Sequence, residues 1–368
     1  MARAAVVAGV GGWVPTTVVR NDELVSSVSS WAAHPGAGAQ ADAEWIRVRT
    51  GIEQRHVLAP GEATSDLAVE AGRGALESAR TRTADAVVVA TNTPDQLSPA
   101  IAPEVAARLG LGPIAAFDLN AVCTGFVYAM ATAAGLIAAR AADSVLVIGA
   151  DAFSTVLDPD DLKTRALFGD GAGAVLLRAG TPGEPGALTG LNLGSDGTRR
   201  ALIGIPGGGS RQRSTGLPVK AEDSYFRMQG RAVFAQAVTR MSESAQHTAA
   251  LVGWSLGEID RWVLHQANGR ILAAVARALR VPVDRFVTNI ARVGNTVAAS
   301  VPLALAAGLA SGELRPGHRV LLAGFGGGLT WGSVALVWPE LPRWPELPSR
   351  PQRPAAAPGT RSDQSGGR

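Results

Sequence analysis

The sequence predicts an α/β fold made of two related halves, and two observations carry that prediction. Short β-branched or leucine-rich runs that end in turn residues alternate with longer helical stretches, the pattern of strands and helices packed in layers. A succession of elements in the first half also recurs in the second. The strand AVVVAT, the helix APEVAARLGL, the stretch AAFDLNAVC, a further helix and the strand SVLVIGAD are matched later by RWVLH, ILAAVARALR, FVTNIARVGNT, the helix VAASVPLALAAGLASG and RVLLAGFGGG. The spacings agree, with 32 residues from Thr91 to Cys123 and 30 from His265 to Asn295. If the halves are copies of one unit, Cys123 and Asn295 occupy equivalent strand-to-helix corners, and a pseudo-twofold packing brings them to a common centre. The expected division is a first half over 1–180, a second over 181–338 and a disordered tail over 339–368, which is rich in proline and polar residues.

The elements follow in order. MARAAVVAGVGGWVP reads as a first strand and not as a signal peptide, because it breaks at glycines and ends in a turn. Residues 29–43, SSWAAHPGAGAQADA, form a small-residue loop. SDLAVEAGRGALESAR and APEVAARLGL are helical, with the strand ADAVVVATNTP between them. IAAFDLN reads as a short buried strand, and GFVYAMATAAGLIAARAA after it as an apolar helix. DSVLVIGAD and GAVLLRAG are strands, the long segment 229–253 and ILAAVARALR are helices, and RWVLHQAN and HRVLLAGFGGG are strands. GVGGWVP (9–15) and GDGAGAV (169–175) do not fit a dinucleotide-binding loop. The first lacks the third glycine and meets a proline, and the second runs into a strand, so close-packed glycine turns are expected at both.

Composition excludes several classes of function. No uninterrupted apolar run approaches the ~18 residues of a membrane span. The net charge is +3, and Lys163 and Lys220 are the only lysines, with no dense basic run interleaved with aromatics; a nucleic-acid groove is not expected. The five histidines (34, 56, 247, 265, 318) show no metal-ligand spacing such as HExxH, so no metal site is expected. A single cysteine cannot form an internal disulfide, which points to the cytoplasm.

That cysteine, Cys123, lies where IAAFDLN gives way to the apolar helix. Free N–H groups and the helix dipole at such a corner favour a thiolate, although an inert buried thiol fits the same position. His265 closes a strand in VLHQANGRI and could act chemically or simply satisfy nearby carbonyls. Asn295, in RVGNTVAAS, reads by itself as a turn or helix-cap residue. GFGGGLTWGS (324–333) offers either a tight turn or bare backbone N–H groups open to a ligand oxygen.

Taken jointly and in this order, Cys123 in NAVCTGF, His265 in HQAN, Asn295 in GNT and the ending GFGGGLTWGS resemble β-ketoacyl-acyl-carrier-protein synthase III, the initiating condensing enzyme of the thiolase superfamily. The resemblance runs over residues 4–338 and takes in EWIRVRTGI (44–52) and FGDGAGAV (168–175). It implies a thiolase-like duplicated five-layer αβαβα fold and a decarboxylative condensation of an acyl-coenzyme A primer with malonyl-acyl-carrier protein. Cys123 would be the nucleophile, and His265 and Asn295 would hydrogen-bond the malonyl thioester oxygen. The N–H groups of Cys123 and Gly327 would form the oxyanion hole. Phe168 would stand between the acyl and malonyl ends, Asn268 would contact the pantetheine arm, and Phe325 would be a further substrate-binding residue. Trp45 would stack on adenine, with Arg49 and Thr50 at the tunnel mouth, and Arg270 and Arg277 would face the acidic carrier protein. Where relatives place an arginine against adenine, this chain has Leu162, with Lys163 adjacent. Ser98 matches the acyl-pocket position that some relatives fill with a bulky aromatic from the partner subunit, and its small size suggests a roomier pocket. The resemblance further implies a homodimer with no resident cofactor, the thioesters of coenzyme A and phosphopantetheine being substrates. A degradative thiolase requires a second cysteine, which this chain lacks, and the elongating synthases use a second histidine where GNT stands. An acyltransferase acting on an alcohol or amine and a non-catalytic carrier-binding scaffold stay open at this stage.

Overall fold

The computed structural model describes residues 3–27 and 42–342. The expected loop at 29–43 up to residue 41, and the expected tail from residue 343 on, lie outside the described residues.

Two sheets organise the chain. The first has the strand order Ala4–Trp13, Gly171–Gly180, Ser144–Asp151, Ala86–Ala90, Ala115–Leu119. The second has the order Leu188–Ser195, Thr330–Val337, Arg319–Gly326, Arg261–Leu264. Read in these orders, both begin with two antiparallel pairings and continue with a parallel one. The fifth strand of the first sheet survives in the second only as a parallel bridge from Trp262 to Phe286. The shared pairing pattern makes the second sheet a copy of the first.

The apolar runs explain the layers. Val87, Val89, Leu146 and Ile148 face the outer helices Thr64–Ser78 and Ala102–Arg108, whereas Val88, Val145 and Val147 face inward. In the second sheet Leu321 and Ala323 face the outer helices Gly230–Leu251 and Gly269–Leu279, while Val320 and Leu322 face inward. Strands covered on both faces need no polar alternation, so they appear as continuous hydrophobic runs. Between the sheets lie Gly125–Ala138 and Ser300–Ser311, with Phe126, Met130, Val301 and Leu305 buried in the shared core. Helices enclosed on every side carry apolar residues all round. The stack is therefore the five-layer αβαβα arrangement.

Two expectations need correction. The glycine-rich stretches at 9–15 and 169–175 are for the most part strand, within Ala4–Trp13 and Gly171–Gly180, and not turns. Helix backbones press directly on these strands: a Cβ at Gly11 would stand 2.3 Å from the Ala71 carbonyl oxygen, and one at Gly173 would stand 2.7 Å from Leu303 N. The strand Ala115–Leu119 is not buried. It lies at the sheet edge, pairs on one side only, and is part-exposed along its length.

Candidate active site

The chain leaves Leu119 and turns through Asn120, whose Oδ1 accepts the Val122 N–H at 3.1 Å. Val122 is held at φ 48°, a left-handed conformation that β-branched residues rarely adopt. Cys123 follows in a single 3-10 turn, Val122–Thr124, that runs into the helix Gly125–Ala138. The second corner repeats each step. Asn295 Oδ1 accepts the Val297 N–H at 3.0 Å, Val297 has φ 50°, and the turn Val297–Ala299 leads into Ser300–Ser311. The corners are equivalent, but the residue match is Asn120 with Asn295 and Cys123 with Ala298. The equivalence of the two corners is as expected, and the structure adds the register: Cys123 and Asn295 stand three residues apart within it, a detail that spacing alone cannot resolve.

Asn295 is held through its main chain, donating to Leu167 O at 2.8 Å and accepting from Gly169 N at 3.0 Å. With its amide oxygen engaged by Val297, the amide N–H2 is the group available to a ligand. His265 follows the strand Arg261–Leu264 and donates its backbone N–H to Ala323 O at 2.8 Å. Gln266 braces the same turn, its N–H donating to Ser300 Oγ at 2.6 Å and its Nε2 to Leu264 O at 2.8 Å. Asn268 caps the next helix by accepting the Arg270 N–H at 2.8 Å.

Cys123, His265 and Asn295 line one cavity of about 170 Å³, together with Phe168, Asn268 and Phe325. Gly327 is buried beside it, where a Cβ would stand 3.5 Å from Val122 Cγ2. Sequence reasoning missed Phe153 and Phe226, which pack on Phe168 with ring centroids 4.6 and 5.1 Å from it and 5.0 Å from each other. These rings come from three separate segments, so no local period could have marked them.

Trp45, Arg49 and Thr50 lie on the helix Ala43–Thr50, outside the cavity lining. The Arg49 guanidinium lies 4.4 Å over the Trp45 ring. The Thr50 hydroxyl donates to Ile46 O at 2.6 Å and accepts the Ile52 N–H at 3.0 Å, so it braces the helix end. This helix abuts the start of Gly269–Leu279, since a Cβ at Gly269 would stand 3.1 Å from Thr50 O. Leu162 is buried with Leu24, Ile46 and Ala166 in a cluster against which Trp45 packs, and Lys163 is exposed. Leu162 thus belongs to the apolar cluster that backs Trp45. Arg270 and Arg277 are exposed on a single helix, and Ser98 is exposed and does not line the cavity of its own chain.

Of the two states left open for Cys123, the surroundings favour the thiol: burial, reinforced by the Asp151 charge, pushes it above the ordinary thiol range. Burial lowers His265 to about 3, so the imidazole is neutral at physiological pH. Alkylation of Cys123 by iodoacetamide is expected to rise about tenfold per pH unit from pH 7 to 9, as the small thiolate fraction grows. A plateau below pH 8 would contradict this. Among the described residues no group of three or more His, Cys, Asp and Glu is arranged to hold a metal ion, and no helix is long and apolar enough to cross a membrane.

A duplicated five-layer sandwich whose two corners meet at one cavity is the architecture of the thiolase-like enzymes. Residues 117–197 match the sequence family described as 3-oxoacyl-[acyl-carrier-protein (ACP)] synthase III, and residues 249–338 match its C-terminal family. The chain is 53% identical over 343 residues to beta-ketoacyl-[acyl-carrier-protein] synthase III 3 of Streptomyces coelicolor, covering 93% of this chain and 99% of that one. The crystal structure of 3-oxoacyl-(acyl carrier protein) synthase III from Pseudomonas aeruginosa superposes with a TM-score of 0.83 at 51% identity, covering 92% and 99% of the two chains. The priming beta-ketosynthase of the R1128 polyketide biosynthetic pathway superposes with a TM-score of 0.81 at 32% identity, covering 93% and 98%. The chain belongs to the β-ketoacyl-[acyl-carrier-protein] synthase III family.

Proposed function

We propose that the protein is a β-ketoacyl-acyl-carrier-protein synthase III that initiates fatty-acid or polyketide chains by condensing an acyl-coenzyme A primer with malonyl-acyl-carrier protein. The observation that carries this reading is the single cavity lined by Cys123, His265 and Asn295. In the first half-reaction the Cys123 sulfur attacks the primer thioester; its proton ends on the departing coenzyme A sulfur, and an acyl-cysteine remains. The N–H groups of Cys123 and Gly327 hold the tetrahedral oxygen. In the second, the malonyl carboxylate leaves as carbon dioxide and the electron pair moves into the thioester enolate, whose oxygen accepts hydrogen bonds from His265 and Asn295. The enolate carbon then attacks the acyl carbon, the C–S bond to Cys123 breaks, and the released thiolate takes up a proton. A neutral imidazole suits this role, because a charged one would hold the malonyl carboxylate as well as the enolate.

The remaining assignments belong to the same proposal. Phe168 separates the acyl and malonyl ends, Asn268 contacts the pantetheine arm, and Phe325 lines the substrate cavity. Trp45, Arg49 and Thr50 form the mouth, and Arg270 and Arg277 meet the carrier protein. No resident cofactor takes part. The halves 1–180 and 181–338 act as one unit in the cytoplasm. A second copy pairs along the open edge of Ala115–Leu119, where the exposed Ser98 can serve the partner's acyl pocket; the one-sided pairing of that strand supports this. Incubation with acetyl-coenzyme A followed by peptide-level mass spectrometry is expected to place one acetyl group on Cys123, and added malonyl-carrier protein should convert it to acetoacetyl-carrier protein. An acyl group transferred to an alcohol or amine without loss of carbon dioxide would overturn the reading.

A further inference from the structure

The second corner is a copy of the first whose oxygen site is filled from within. Gly324 lies against the Cys123 carbonyl oxygen and Gly149 against that of Ala298, which pairs the two strands residue by residue. Two positions further along, the first corner meets Gly326 and the second meets Asp151. A side chain at Gly326 would begin 2.8 Å from Cys123 N. At the matching place Asp151 Oδ2 accepts the Ala298 N–H at 2.9 Å. Its Oδ1 accepts the Asn92 N–H at 2.8 Å and the hydroxyls of Thr93 and Thr91 at 3.0 and 3.3 Å. Asp151 is fully buried, and these partners are neutral donors.

We infer that Asp151 is a positioning residue: its carboxylate stands in the second corner where the reacting oxygen stands in the first, and it clamps the turn that presents Asn295. The link is short. Asp151 holds Ala298 N, Ala298 lies in the turn Val297–Ala299, and the N–H that opens this turn holds Asn295 Oδ1. A hydrogen bond to a charged acceptor is worth more than a neutral one, and its loss at a buried site leaves the donor unsatisfied. Burial raises the Asp151 carboxyl to about 7, against the pull of its four donors. Retaining an acid there is costly, and the clamp is what the cost maintains.

The inference rests on the proposed function, and Asp151→Asn tests it separately. This substitution keeps the shape but cannot satisfy all four donors, because the new N–H2 must face either Ala298 N–H or the Asn92, Thr93 and Thr91 donors. The parent enzyme must first acylate and release carbon dioxide; failure there would sink the functional reading and not this one. In the variant, acylation of Cys123 is expected not to fall, because loss of the Asp151 charge eases ionisation of the thiol. The kcat for malonyl decarboxylation should fall roughly 10- to 100-fold with KM for the malonyl thioester unchanged. Equal losses in both half-reactions, or undiminished decarboxylation, would overturn the inference. Should Asp151→Asn not fold, Thr91→Val removes one donor to Asp151, together with the acceptor of the Thr93 N–H, and leaves the carboxylate. A loss of about two- to fivefold confined to decarboxylation supports the clamp. No loss, or equal loss in both steps, rejects it.

Discussion

Gly326→Ala is expected to slow acyl transfer to Cys123 by about a hundredfold or more. The added Cβ would stand 2.8 Å from Cys123 N and 3.1 Å from Thr124 N. Both are backbone atoms of the strained turn that presents the nucleophile, so neither can move aside cheaply. Overpacking of this kind costs about 1–3 kcal/mol of stability. The larger effect is chemical, because the methyl group crowds the Cys123 N–H assigned to the oxyanion. Loss of one oxyanion donor lowers rates by about 10²–10³. Stopped-flow release of coenzyme A from acetyl-coenzyme A by folded variant should therefore be at least about a hundredfold slower than in the parent. Unchanged release would show that the space beside Cys123 N plays no part in acylation.

His265→Ala is expected to separate the two half-reactions. The imidazole is neutral, lies in the same cavity as Cys123, and is assigned to the enolate oxygen that appears only after carboxylate departs. The variant should still form the acyl adduct, since the thiol proton is carried off by the leaving coenzyme A sulfur. Carbon dioxide release from malonyl-carrier protein should fall by about a hundredfold or more, the effect of removing roughly 3 kcal/mol of preorganised hydrogen bonding. Carbon dioxide release at the parent rate would remove His265 from the mechanism.

The legible parts of the fold were those in which a local pattern coincides with a tertiary need. Strands such as Ala86–Ala90 and Ser144–Asp151 are covered on both faces, so burial writes itself as a continuous apolar run. The repeat located the two corners because each half keeps the same succession of strand, turn and helix. Glycine defeated the reading where it serves packing. Leu188–Ser195 was not anticipated as a strand because its interior glycines resemble turns; a Cβ at Gly190 would stand 2.6 Å from Val252, and one at Gly194 would stand 2.5 Å from the Trp331 ring. The edge strand Ala115–Leu119 has the composition of a buried strand, and only its place in the sheet leaves it part-exposed.

At the site, each of Cys123, His265 and Asn295 was ambiguous by itself, and it was their joint resemblance to a known family that singled them out; the fold brings them to one cavity from three distant segments. Protonation was not legible, because it depends on burial and on Asp151, a residue that looks like an ordinary strand end in the sequence. The aromatic wall of Phe153, Phe168 and Phe226 was likewise hidden, since its members are distant in sequence and Phe226 joins from the other half.

The most direct test is a single-turnover chase by rapid-quench mass spectrometry. Enzyme carrying one acyl group on Cys123 is mixed with carboxyl-labelled malonyl-carrier protein, and acyl-enzyme and labelled carbon dioxide are followed together. We expect the adduct to disappear and carbon dioxide to appear at one shared rate and in equal amounts, leaving β-ketoacyl-carrier protein and free thiol. Carbon dioxide released while the adduct persists, or an adduct carried on any residue other than Cys123, would contradict the mechanism.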